Sequence, residues 1–229
     1  MTIKEAIKLR HMVRKYTDKP IPADLAEKLK ERIAGNNQAH GLQIKLVSGN
    51  ADGLSAVAKL LLAKNVKNYL VLAGPDTPDL DEKLGYCGSD LMLYAQTLGL
   101  NTWWVGGMFS KNGARKNLDA GHNVRVNGVI VVGYGQTQGV PHQSKKPEEV
   151  SWYEGEAPQW FRDGVEALLF APTALNKQGY MVKGSGNKVS ITCDDGVFSG
   201  IDLGIGKYHF EVGAGRENFE WEADKTGQR

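Results

Sequence analysis

The pattern of apolar residues predicts a mixed α+β chain, on three observations. Helix signals of amphipathic type open the chain, and short unbroken apolar runs of strand length recur along it. One apolar stretch, residues 85–100, is too long for a strand and reads as a central buried helix.

Thr2 followed by Glu5 is a capping-box pattern, so a helix begins at once, with Ile3, Ala6, Ile7 and Arg10 on one face. A second helix fits residues 23–33, where Leu25, Leu29 and Ile33 recur at intervals of four and Gly35 supplies a stop. Residues 43–48 alternate as a strand closed by Gly49-Asn50, and residues 54–63 are helical and very apolar. Residues 68–73 form an unbroken apolar run, the mark of a strand covered on both faces, and residues 126–134 supply another. Between them, the 85–100 helix runs into Asn101-Thr102-Trp103-Trp104-Val105-Gly106-Gly107-Met108, where one tryptophan packs inward and the other sits near a ligand or interface. Further helices are expected over 158–170 and 198–212, and strands over 180–183, Lys188–Cys193 and 219–223.

Length and charge narrow the function classes. The chain has 229 residues, 24% of them charged, and a net charge of +2, so nothing demands a nucleic acid or an anionic membrane. Cys87 and Cys193 make no metal or redox spacing and read as reduced thiols of a cytoplasmic protein. The first residues lack the apolar core of a signal peptide, and no run reaches the roughly 20 residues of a membrane span. His40, His122 and His209 lie far apart without a ligand pattern, and His209, inside an apolar helix, reads as a satisfied core histidine. Gly184-Ser185-Gly186 and Gly204-Ile205-Gly206 do not join a strand to a helix, which rejects a dinucleotide-binding fold.

Arg10-His11-Met12-Val13-Arg14-Lys15-Tyr16-Thr17-Asp18-Lys19-Pro20-Ile21 is the densest motif. Two guanidiniums four residues apart on one helix face suit a phosphate, each offering paired hydrogen bonds. The same spacing also fits a solvated basic helix end, favoured there by the dipole.

These words resemble the opening of the nitroreductase family of FMN-dependent NAD(P)H oxidoreductases, in which the first helix delivers an Arg-x-Ser-x-Arg/Lys triplet to the flavin phosphate. Here the triplet is Arg10, Met12 and Arg14, with His11 between, and Met12 cannot offer the usual hydroxyl. The order of a buried helix, then Gly-Leu-x-Thr-x-Trp-Val-Gly-Gly, then Val-Val-Gly-Tyr-Gly is similar to the family as well. On that resemblance Trp104, Gly106 and Gly107 approach the flavin, with glycine N–H groups at the edge where charge builds on reduction. The loop His142-Gln143-Ser144-Lys145-Lys146-Pro147 resembles the family's basic phosphate-side segment, with Ser144, Lys145 and Lys146 toward the phosphate; a solvated loop fits the lysines too. Pro172, Thr173, Ala174, Asn176 and Gln178 look like the family's Pro-Ser-x-x-Asn-x-Gln segment, which in ordinary members reaches the flavin of the other subunit. Helix capping is the alternative for Thr173 and Asn176.

That segment comes late here, as in the small putative TM nitroreductases, where one chain imitates a dimer. Residues 34–50 can be laid over 171–187, both closing on Ser-Gly-Asn, and Gly88-Ser89-Asp90-Leu91 echoes Gly200-Ile201-Asp202-Leu203 at the start of two apolar helices. The resemblance implies a nitroreductase-like α+β fold: a central, mostly antiparallel sheet flanked by helices, in a single domain of two degenerate halves, about 1–150 and 151–229, forming a pseudo-dimer with one working site. It implies FMN as cofactor, NADPH or NADH as donor, a small nitroaromatic or quinone acceptor, no metal, and a monomer or homodimer without nucleic-acid or membrane partners. A non-catalytic flavin store on the same fold is the alternative, and a third option is another flavin reaction such as reductive dehalogenation.

Overall fold

A computed structural model describes residues 1–118 and 123–222. His122 and Ala223, both named above, lie outside the described residues.

Helix α1 spans Ile3–Leu9, and its capping box is complete: Glu5 N–H donates to Thr2 Oγ1 at 3.2 Å, and Thr2 N–H to Glu5 Oε2 at 2.7 Å. The helix stops one residue before Arg10, whose φ/ψ is extended. Residues 12–17 then run as an extended strip, bridging Thr102, Lys64 and Gly135. Arg10 and Arg14 therefore do not share a helix face; four extended residues separate their Cα atoms by up to about 13 Å.

Helix α2 (Ala23–His40) runs seven residues past the expected end. Gly35 lies inside it, and the stop is Gly41 at φ +66°, a left-handed cap that favours glycine. The 54–63 stretch forms only a short π-turn over Ala58–Leu62, with Ala58 inward and Leu60 and Leu61 exposed.

Strands β1 (Lys45–Ser48), β2 (Asn68–Pro75), β3 (Asn101–Val105) and β4 (Val124–Gly133) make an antiparallel sheet in the order β1-β2-β4-β3. Its residues alternate between two apolar layers: Leu70, Leu72 and Ile130 on one face, Tyr69, Val71 and Val131 on the other. That double burial explains the unbroken apolar runs. Trp103 is buried on the second face, and Trp104 turns to the first, over Gly88 of α3 (Leu80–Thr97). Short helix α4 (Lys111–Arg115) closes the second face.

A second sheet follows, so there is not one central sheet but two. Helix α5 (Pro147–Val150) leads to β5 (Ser151–Tyr153), α6 (Gln159–Leu168), the hairpin β6 (Tyr180–Ser185) and β7 (Lys188–Cys193), α7 (Ser199–Ala214) and β8 (Glu220–Trp221). Its order is β5-β6-β7-β8, with only the hairpin antiparallel and both edge strands parallel to their neighbours. One apolar cluster runs from Ile44 and Leu70 through Leu84 and Leu91 of α3 to Tyr180, Val182 and Phe210 on the far side.

Helices α3 and α7 pack at the centre, each bringing a glycine to the crossing, Gly85 and Gly204. The sequence echoes are placed unevenly. Ser48-Gly49-Asn50 and Ser185-Gly186-Asn187 both end a strand with a left-handed glycine, at φ +84° and +55°. Residues 34–40, however, are helical while 171–178 are a loop around a 3-10 turn at Ala174–Asn176. Gly88 lies in mid-helix, not at a helix start as Gly200 does.

Candidate functional site

Arg10 is 6% exposed, yet its Nε has no hydrogen-bond partner and its guanidinium no counter-ion among the described residues. Burial alone pulls it down to about 10. An unpaired guanidinium inside a protein costs several kcal/mol in principle, about 3–5 where a partner has been removed, so this residue calls for an anion. Its surroundings are basic. His11 is held below its ordinary value by burial, then by Arg10 and His142. Arg14, by contrast, is on the surface, its guanidinium 5.5 Å from the centre of the Trp103 ring, and Met12 is 48% exposed.

His142 belongs to the loop between β4 and α5, which is knotted to the 172–178 segment at one atom. The carbonyl oxygen of Leu169, at the end of α6, lies 2.9 Å from His142 Nε2, 2.9 Å from Ser144 Oγ and 3.2 Å from Gln178 Nε2. Helix ends leave such carbonyls without intrahelical donors, which is why loop side chains can collect there. Gln178 is buried; its Oε1 accepts from Lys145 N–H at 2.7 Å and its backbone carbonyl from Lys145 Nζ at 2.9 Å. Asn176 Nδ2 donates to Gln143 O at 2.8 Å, and Gln178 N–H to Thr173 Oγ1 at 3.0 Å. The structure thus joins Ser144 and Lys145 to Thr173, Asn176 and Gln178. Lys146 stays outside, its N–H donating to Glu149 of its own helix.

The loop is strained. Leu175, Asn176 and Gln178 hold φ of +55°, +55° and +46°, a region that non-glycine residues enter at a cost and that clusters at functional sites. Its other anchor is Asp202 of α7, whose carboxylate accepts Ala174 N–H at 3.1 and 3.2 Å. Burial pushes Asp202 up to about 6, against the opposing pull of the Ala174 N–H and Lys177. One turn earlier, Phe198 lies over Gly106: a Cβ there would come within 3.0 Å of its ring. Gly106 and Gly107 therefore face α7 through Phe198, and Met108 and Val197, next to Gly107 and Phe198 in sequence, are exposed, as is Leu175 of the strained loop.

Sequence reasoning gave Phe198 no role, and it met Asp202 and Asp90 only as letters of a repeated motif, with no part in a site or in an ion pair. Asp90 is nearly fully buried and accepts from Arg32 (2.8 and 2.5 Å), Asn36 (2.8 Å) and Tyr208 Oη (2.5 Å). The available signal was an acid inside an apolar helix in both Gly-Ser-Asp-Leu and Gly-Ile-Asp-Leu, since buried acids are rare unless partnered. No helix among the described residues is long and apolar enough to cross a membrane.

A family model described as "Putative TM nitroreductase" matches residues 2–214. No curated protein matches the chain. Among solved structures, a "putative nitroreductase" of Thermotoga maritima MSB8 is 22% identical, over 95% of this chain and 85% of that one, with a TM-score of 0.63. A "Putative NADH dehydrogenase/NAD(P)H nitroreductase" of Parabacteroides distasonis is 21% identical, over 65% of this chain and 95% of that one, at 0.52. A "putative nitroreductase in complex with fmn" of Desulfovibrio desulfuricans is 15% identical, over 69% and 99%, at 0.53. At these identities the likeness is one of fold.

Proposed function

This chain belongs to the putative TM nitroreductase family, and from that premise we propose that it is an FMN-dependent oxidoreductase passing electrons from NADPH or NADH to a small nitroaromatic or quinone acceptor. Family membership supports the oxidoreductase class. The observation that carries the cofactor is Arg10, a buried cation without a counter-ion, beside a second basic segment.

The residues present fit a flavin phosphate at Arg10, and Lys145 adds a further cation on the loop that carries His142. They fit less fully than the sequence pattern suggests: Met12 offers no hydroxyl, and Arg14 is engaged with Trp103. When bound, the flavin supplies the hydride chemistry. This chain's part is to hold the phosphate at Arg10 and to turn the Thr173 hydroxyl and the Asn176 side-chain oxygen toward the ring system, on a loop that the Gln178 amide fixes in place. Gly106 and Gly107 leave backbone N–H groups free of side-chain cover, provided Phe198 stacks beside the ring or moves. Met108, Leu175 and Val197 supply exposed apolar surface suited to a flat aromatic acceptor.

The two sheets and the central α3–α7 pair support a pseudo-dimer of halves with one site, active as a monomer or a homodimer in the cytoplasm. A second reading, flavin storage, is favoured by the Phe198 ring over Gly106. An anaerobic absorbance titration separates them. Bleaching of bound FMN by NADPH or NADH, with recovery on adding a nitroaromatic or quinone, supports the oxidoreductase. Bound FMN that neither nicotinamide bleaches supports storage, and a chain that takes up no FMN defeats both.

A further inference from the structure

Two buried polar atoms, Arg10 Nε at the end of α1 and His209 Nε2 within α7, lack hydrogen-bond partners among the described residues. His209 is fully buried, with Nδ1 at 3.0 Å from Ile205 O and 3.0 Å from Ser89 Oγ. A backbone carbonyl only accepts, so Nδ1 carries the proton and donates to Ile205 O. The neutral ring thus presents a bare lone pair at Nε2, in the field of two basic groups, Arg10 and His142. Such a nitrogen cannot donate to an anion until it gains a proton.

We infer that His209 is the proton-accepting partner of Arg10 in one buried oxyanion site: a phosphate monoester that enters against the Arg10 guanidinium brings one solvent proton with it, which settles on His209 Nε2. The inference rests on reading Arg10 as the flavin-phosphate ligand, and it makes that ligand's binding proton-linked. Charges balance, since a dianion meets one guanidinium and one imidazolium.

The groups around the ring leave this role open. From α1 the facing charge is Arg10, and from the loop after β4 it is His142, with His11 coupled to both. On α3, Asp90 follows Ser89, but its carboxylate is engaged by Arg32, Asn36 and Tyr208. On α6, Glu166 pairs with Lys8, and on α7 itself Glu211 accepts from Tyr86. Among the described residues these carboxylates are all engaged, so none of them charges the ring in the anion's place. Without an anion, burial first, then Arg10 and His142, push His209 down to about 3. A bound oxyanion supplies the missing acceptor and offsets both cations, which raises the ring's affinity for a proton.

The test uses the full chain, FMN and inorganic sulfate, with histidine ring ¹⁵N spectra and binding titrations across pH. Sulfate keeps its charge through the range where a phosphate monoester titrates near pH ~6, so its pH dependence belongs to the protein. The expected result is a His209 ring that becomes imidazolium on ligand addition. Affinity should then fall by about tenfold per pH unit while the bound ring holds that proton and the free ring does not, and level off once the bound form has lost it. His209→Gln retains a donor at the same depth without a titrating group, so it should bind with a flat pH profile. A neutral His209 in the FMN-bound chain overturns the inference while leaving the flavin reading intact. Sulfate that charges His209 in a chain that refuses FMN upholds the site and defeats the flavin reading; a chain that binds neither overturns both. Should the glutamine variant not fold, the wild-type ring spectrum alone decides.

Discussion

Gly85 of α3 and Gly204 of α7 are in mutual contact at the helix crossing: a Cβ on Gly85 would lie 2.1 Å from Ile201 O, and one on Gly204 would lie 2.0 Å from Glu82 O. The two approaches mirror each other, each glycine meeting the carbonyl three residues before the other glycine. No side chain can shift to relieve a clash with backbone, so Gly85→Ala should destabilise by about 3 kcal/mol or more, or prevent folding. Gly35, inside α2 with nothing within 4 Å of its Cβ position, is the control. Gly35→Ala should stabilise by about 0.5–1 kcal/mol. Chemical denaturation of both variants checks the pair.

Arg10 sets stability against binding. Arg10→Met removes a buried, unpaired charge and should raise the stability of the ligand-free protein by about 1–3 kcal/mol, read by thermal melting. FMN affinity should fall by roughly 100-fold, with riboflavin affinity changed by less than about threefold, because only FMN carries the phosphate. Arg14→Ala, at the surface over Trp103, should change FMN affinity by less than about threefold. Equal losses of both flavins in Arg10→Met would remove Arg10 from the phosphate site.

Much of the fold was readable because it depends on local patterns. Thr2 and Glu5 marked the first cap, and the unbroken run around Leu70–Leu72 marked a doubly covered strand. What failed depended on partners distant in sequence. Arg10 looked helical by spacing, but the chain leaves the helix at that residue so that the strip can pair with Thr102 and Gly135. Gly35 looked like a stop because glycine often is one, while Gly41 performs that task. The site was half readable. Motif words picked out the 142–146 loop and Gln178, and the structure shows Lys145 in contact with Gln178, whereas Asp202 and Phe198 matter only through neighbours that no spacing reveals.

Asp202 makes a pH prediction. Its folded pKa, about 6, lies above the unfolded value, so the folded chain holds an extra proton between about pH 4 and 6. Stability from this group is present below the unfolded value and is lost as pH rises through the folded one. Asp202→Asn keeps an acceptor for Ala174 N–H without the charge. It should be more stable than wild type by roughly 2 kcal/mol at pH 7.5, with the gap closing near pH 4. A gap that does not vary across denaturation curves at several pH values would sink this account.

Leu175 combines a φ of +55° with a side chain 91% exposed, so neither backbone preference nor burial explains it. Leu175→Gly should stabilise by about 0.5–1 kcal/mol, the relief of strain exceeding the added chain entropy. If the exposed side chain contacts the acceptor, kcat/KM for a bulky aromatic acceptor should fall several-fold while flavin affinity holds. Steady-state kinetics with a large and a small quinone read the difference.

The knot at the Leu169 carbonyl also bears on when during folding the site becomes competent. Its donors come from the β4–α5 loop and from beyond α6, and Arg10 comes from the start of the chain. The proposed phosphate and ring-facing surface thus waits on contacts of long sequence separation, the slowest kind to close. A nascent or C-terminally truncated chain lacking α6 keeps Arg10, Gly106 and Gly107 but has neither the Leu169 carbonyl nor the 173–178 loop, so flavin capture should report completed folding and not an intermediate stage.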